Sequence, residues 1–399
     1  TSSWELPLFM GGQYDHSIPP PKEYDSDDTI SDEGSELDSN ASDYSELVRA
    51  RRKIRRKQPR SQAQMLVDEV EDSKKELFML NLSGLNATRV TARVWELYWL
   101  EHLNLSNNKL VKLHNDVEFL VSLKTLDLRQ NDIRKIPTQV EELVNLEVFL
   151  LGGNQVSTYS GYFYQMTLLR ELDLSNNPMK EIPIEIGNLD LLKMTGEWEV
   201  GIGRLENLEK LDCKSCLLSE WPPQLERLKK LASLDFSHNS GLATVPSVLG
   251  DNQALEFLDL SHCSIAALPQ AIYTLPMLVK LLLHHNKLEI MPEPPFGSRP
   301  MPRLEELDVS FNRMQSFDDP FGVWTELKRL SIRDNELQFL GQSIVRAKKI
   351  EEFYLQNNHL KVFPLEFDAL TNLRILDIHN NDFQELPGSI ERCFQLRTL

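Results

Sequence analysis

One eleven-residue pattern, L-x-x-L-x-L-x-x-N-x-L, returns along this chain with a period that leaves little freedom in how it can fold. Its opening leucine or isoleucine falls at 77, 100, 123, 146, 169, 208, 231, 255, 278, 304, 327, 350 and 373, and a fourteenth copy starts at Leu396. Nine of the twelve intervals between full copies are 23 residues; the others are 39, 24 and 26. A fixed period of this length marks a solenoid, in which each unit buries its apolar face only against its neighbours. Alternation at positions 3 to 7 predicts a short strand with positions 4 and 6 turned inward. Asn at position 9 falls where the chain turns inside the coil, and its amide can satisfy backbone groups that water cannot reach.

The second half of most repeats reads IPxxIxxLxxL, as in IPTQVEELVNL (136–146). Pro stands at the fifteenth position in seven copies (137, 183, 222, 269, 292, 364 and 387) and one residue later, at 246, in the 24-residue copy. It fixes the backbone where the chain leaves the strand and has no N–H to leave unpaired. The same register answers what the Cys-x-x-Cys stretch LDCKSC (211–216) is. Cys213 falls at position 6, an inward strand slot, and Cys216 at position 9, the Asn slot, which Cys263 also fills two repeats later. Small thiols pointing into a dry coil predict core packing, with neither zinc nor redox chemistry.

The stretches LEHLNLSNNKL (100–110), LKTLDLRQNDI (123–133) and LRELDLSNNPM (169–179) resemble the leucine-rich repeat family over residues 77–399. The 23-residue length with its Pro is similar to the intracellular class, the Ras-group-related and Scribble-like proteins. That resemblance implies an α/β fold: a curved, horseshoe-shaped solenoid with a parallel sheet on its concave face and short helical or irregular segments on the convex side. It also implies a cytoplasmic, non-enzymatic scaffold in signal transduction that binds a protein partner on the concave face. A small Ras-type GTPase or a phosphatase subunit is the expected kind of partner. For the phosphatase the basic stretch KIRR (53–56) lacks the final aromatic of the usual docking peptide. Two other readings stand beside this one. The array would be the recognition arm of a larger enzyme (GTPase, kinase or phosphatase) encoded beyond Leu399, or a junctional scaffold with later PDZ domains.

Composition narrows the field further. The chain of 399 residues carries a net charge of −17. Residues 77–399 hold 43 Asp/Glu against 32 Lys/Arg, which disfavours nucleic acid and anionic membrane as partners of the array. No apolar run is long enough for a membrane span. Four cysteines without an even framework fit a reducing compartment. The start at Thr1 points to a fragment, and a monomer is expected. No Walker loop, HExxH, nucleophile elbow or kinase signature occurs, so no cofactor is expected.

Residues 1–64 are rich in Ser, Asp and Glu and are expected to be disordered. Within them Thr29 and Ser35 each precede an acid by three residues, a pattern suited to acidophilic kinases. The cluster RARRKIRRKQPR (49–60) holds eight basic residues in twelve. It reads as a nuclear-import signal, an anionic-lipid or RNA contact, or a counter-charge to the acidic run. Residues 65–76 are expected to lead into the array as a cap. The 39-residue interval contains an insertion at 188–203, with Trp198 near its tip, expected as a loop on the convex side or edge.

Binding is expected on positions 3, 5, 7 and 8. Asp at position 5 and Ser at position 7 recur too often to be specific. Residues that break the pattern are more informative. Val148 and Leu150, beside Gly152 and Gly153, are expected to leave an uncovered apolar patch. Leu282, Phe311 and Tyr354 add apolar or aromatic area, and Arg129, Arg329 and Arg333 add guanidinium groups, the residue types that dominate interfaces. His238, His262 and His285 share position 8 in three successive repeats, with His284 beside them. This column reads as solvated surface, a pH-sensitive contact or a metal site; strand spacing is expected to hold its rings too far apart for tetrahedral ligation.

Overall fold

In each repeat, three residues at positions 3 to 5 pair with the same three residues of the next, so the sheet grows by one strand per period. A computed structural model of the chain describes residue 67 and residues 78–157, 166–179, 205–222, 225–295, 300–317, 324–386 and 388–399. The acidic leader with Thr29 and Ser35, the basic cluster and the 188–203 insertion lie outside the described residues.

The strands, in chain order, are β1 (Met79–Asn81), β2 (His102–Asn104), β3 (Thr125–Asp127), β4 (Val148–Leu150), β5 (Glu171–Asp173), β6 (Lys210–Asp212), β7 (Ser233–Asp235) and β8 (Phe257–Asp259). They continue with β9 (Lys280–Leu282), β10 (Glu306–Asp308), β11 (Ser316–Phe317), β12 (Arg329–Ser331), β13 (Phe339–Leu340), β14 (Glu352–Tyr354) and β15 (Ile375–Asp377). Thirteen of these form one parallel sheet in chain order, while β11 and β13 pair separately. Register is locked to the repeat: Leu103 pairs with Leu126 and Leu234 with Leu258. The 39-residue interval leaves no slip, because Leu172 pairs directly with Leu211.

Inward leucines fill the coil. Leu103, Leu126, Leu172, Leu211, Leu234 and Leu258 at position 4 are all at most 1% exposed. Phe149 and Phe353 replace leucine in the same slot and are fully buried. On the side away from the sheet, every helical segment described after residue 78 is a 3-10 turn of three to five residues. Pro137, Pro246 and Pro269 stand in extended geometry, with φ of −70° to −72°, immediately before three of them. Proline prefers this φ, so the chain enters the turn without strain.

Candidate binding face

Two slots control how the chain leaves each strand. Position 9 supplies the inner hydrogen bonds. The Asn239 amide donates to the carbonyls of Cys213 and Phe236 at 2.9 and 2.8 Å, and its oxygen accepts from the N–H groups of Cys216 and Leu218 at 3.0 and 2.9 Å. Asn131, Asn154, Asn177, Asn286, Asn312, Asn335 and Asn358 are buried in the same way. Cys216 and Cys263 fill this slot with a thiol, which donates to Leu174 and Phe236 carbonyls at 3.0 and 3.5 Å. Both are buried, as is Cys213, and none forms a disulfide. Burial pushes the Cys263 thiol up to about 11 and the Cys213 thiol well above its usual range, so neither is a ready thiolate.

Position 8 is left-handed in all thirteen repeats, from Gly84 (φ 71°) through Asn107, His238 and Phe311 (φ 53°) to Asn380. Sequence reasoning missed this requirement. The signal was present, because Asn, Gly, Asp and His, the types most tolerant of a left-handed backbone, fill ten of the thirteen slots.

Position 5 carboxylates turn back on the backbone. Asp173, Asp235, Asp259 and Asp308 each accept the N–H two residues on, at 2.9 Å. Where Ser holds position 7 it is covered in consequence: Ser106, Ser175, Ser237, Ser261 and Ser310 are at most 8% exposed and leave the open face, whereas the longer Arg333 and His379 in the same slot stay accessible. A hydroxyl this small sits in the crease between the carboxylate and the left-handed residue. Burial pushes Asp212 up to about 6, against the Lys214 N–H, and Asp235 and Asp173 push it in the same direction.

The expected apolar patch at the fourth strand is corrected. Leu150 is 6% exposed, and the two glycines do not leave space above it. A Cβ on Gly152 would meet the Asp173 carboxylate at 2.7 Å, and one on Gly153 the Gln130 amide at 2.4 Å. Neighbouring strands have leaned their side chains into the room that the glycines provide. Val148 remains half-buried. Arg129 is folded onto its own strand, with Nε and Nη2 donating to the two Asp127 oxygens at 3.0 and 2.7 Å.

Farther along, the structure gathers residues that lie in separate repeats of the sequence. Arg329 donates to Glu352 at 3.0 Å, and the Tyr354 hydroxyl donates to the same carboxylate at 3.0 Å, making Glu352 the link between them. Leu282, Phe311, Arg333 and Tyr354 are half-buried and Arg329 is exposed, all on one side of the sheet. His238, His262, His285 and Phe311 form a continuous stack, with ring centroids 4.1, 4.0 and 4.1 Å apart and interplanar angles of 11°, 17° and 24°. The Arg333 guanidinium closes it, 5.1 Å from the Phe311 centroid.

The expectation that strand spacing separates these rings too far is therefore corrected. Equivalent slots on paired strands lean together, and His284 turns its Nδ1 to 3.1 Å from the Nδ1 of His285. Burial, then the neighbouring imidazoles, push His262 down to about 4, so it is neutral at pH 7. His285 is lowered for the same first reason.

A family model for the leucine rich repeat matches residues 121–179, 302–360 and 325–383, and a second matches 99–120. Over those residues the chain carries leucine-rich repeats, and its fold is that of a leucine-rich repeat solenoid. Among solved structures, a leucine-rich repeat protein of Leptospira interrogans is similar with a TM-score of 0.72 at 24% identity, covering 83% of this chain and 85% of that one. Mouse Tsukushi is 30% identical over 165 residues, 39% of this chain and 46% of that protein. An adenylate cyclase of Schizosaccharomyces pombe is 25% identical over 259 residues, 63% of this chain but 14% of that protein. The chain thus spans less than half the length of these two relatives. No helix among the described residues is long and apolar enough to cross a membrane.

Proposed function

We propose that this chain is a non-enzymatic scaffold that holds a protein partner on its sheet face, with the contact centred on Phe311, Arg333, Arg329 and Tyr354. Leucine-rich repeat proteins generally mediate protein–protein interaction, and the fold is typically non-enzymatic. The observation that carries the reading is Phe311. An aromatic residue held left-handed costs about 1 kcal/mol or more that Asn or Gly in this slot avoids. Its ring nevertheless lies half-exposed between His285 and Arg333. Aromatic and arginine groups together on an open face are the usual energetic centre of an interface.

The test is capture of partners by the chain, repeated with Phe311→Asn and Arg333→Glu. Asn stands in the same slot at 107, 176, 357 and 380, so the first change keeps the turn. Each should weaken a captured partner's affinity by about tenfold or more. Binding unchanged by both would move the site off this face.

The finer reading is an intracellular adaptor, with a small Ras-type GTPase or phosphatase subunit as partner. Four unpaired cysteines and the run of 23-residue intervals support it. The adenylate cyclase similarity favours a second reading, in which the array is the recognition arm of a larger enzyme.

A further inference from the structure

We propose that His262, His284 and His285 form a binding site for a single divalent transition-metal ion of the zinc class. Their candidate ligand nitrogens all lie within 4.8 Å of one another, and they are the one His, Cys, Asp or Glu group among the described residues to do so. Zinc binds imidazole nitrogens at about 2.0–2.1 Å, which places two tetrahedral ligands about 3.3 Å apart. The Nδ1 atoms of His284 and His285 are already 3.1 Å apart. Two neutral imidazole nitrogens at that separation repel unless a proton or a cation lies between them. The third ring, His262, stacks on His285 at 4.0 Å and meets His284 edge-on at 5.1 Å, so a side-chain rotation of modest size completes three ligands. Three imidazoles leave the fourth coordination position to water, because the cluster opens on the sheet face.

Folding alone accounts for part of this arrangement. Histidine tolerates the left-handed turn better than most residues, which explains position 8 at 238, 262 and 285. It does not explain His284. That residue occupies position 7, which holds Ser at 83, 106, 175, 237, 261 and 310 but also Arg129, Lys214, Arg333, Gln356 and His379, so the turn requires no particular type there. His379 in the same slot turns its Nδ1 to Asp377, whereas His284 aims its Nδ1 at that of His285, which is what a ligand set requires. The site stands independently of the partner reading, since it needs no second protein.

The experiment uses the chain prepared without a polyhistidine tag, dialysed free of metal, and titrated calorimetrically with Zn²⁺. Cobalt serves as a spectroscopic probe of tetrahedral nitrogen ligation. One ion per chain is expected. His284→Ser and His285→Asn restore residues that the same slots hold elsewhere in this array, so the fold is kept, and an unchanged circular dichroism spectrum and melting temperature check that. Each change should weaken binding by about 100-fold or more, since loss of even an outer partner of a ligand costs about 10–100-fold. His238→Asn, which alters the stack outside the cluster, should leave binding within about threefold of its original value. No saturable binding, binding that survives the double change, or equal loss with His238→Asn would overturn the site.

Discussion

Asp212 shows how a consensus residue can work against stability. Its carboxylate accepts the Lys214 N–H at 3.0 Å, yet it lies between Asp173 and Asp235 and titrates near 6. Since the folded state holds the proton more tightly than the unfolded chain, stability contributed by this group is greatest below about pH 4 and is lost as pH rises through 6. Asp212→Asn keeps the accepting oxygen, as Asn104 does in the same slot with a 2.9 Å bond to the Ser106 N–H. It should stabilise the fold by about 1–3 kcal/mol at pH 7 and by nothing at pH 4, measured by urea unfolding at both values. An equal gain at the two pH values would sink the electrostatic explanation. Exposed pairs such as Lys328–Glu305 and Lys349–Glu326 are worth far less, because water screens them.

At the scale of one turn, the fold depends on position 9 more than on any strand bond. Asn239 alone serves two carbonyls and two N–H groups in a dry interior. Asn239→Ala orphans the Cys213 carbonyl and both N–H groups, leaves the Phe236 carbonyl only the Cys263 thiol, and should cost about 2–4 kcal/mol in urea unfolding. A loss below about 1 kcal/mol would mean that water enters the turn. This role could be read from the sequence, since an amide recurring every 23 residues at the end of a strand has few other uses. Position 8 could not be read so simply. Its common property is a backbone angle that several residue types tolerate, so Gln130, Ser215 and Phe311 conceal the rule. Leu150 failed for a related reason: the glycines beside it read as a gap, but Asp173 and Gln130 from adjacent strands occupy that gap.

The repeat array is a one-dimensional stack, in which stability passes between nearest neighbours. β7 and β8 each have a strand on both sides, whereas among the described residues β1 has one strand neighbour, β2. Amides of β7 and β8 should therefore exchange with deuterium at least about tenfold more slowly than those of β1, read by mass spectrometry of the intact chain's peptides. Uniform exchange along the sheet would show a single cooperative unit. The sequence by itself determined the repeat, the inward leucines, the buried cysteines and the parallel register, because a period of 23 residues permits one way of burying them. Only the tertiary structure decided which outward residues meet. Whether His284 reaches His285, or Glu352 joins Arg329 to Tyr354, depends on side-chain rotation across paired strands, and a repeating sequence does not encode those angles.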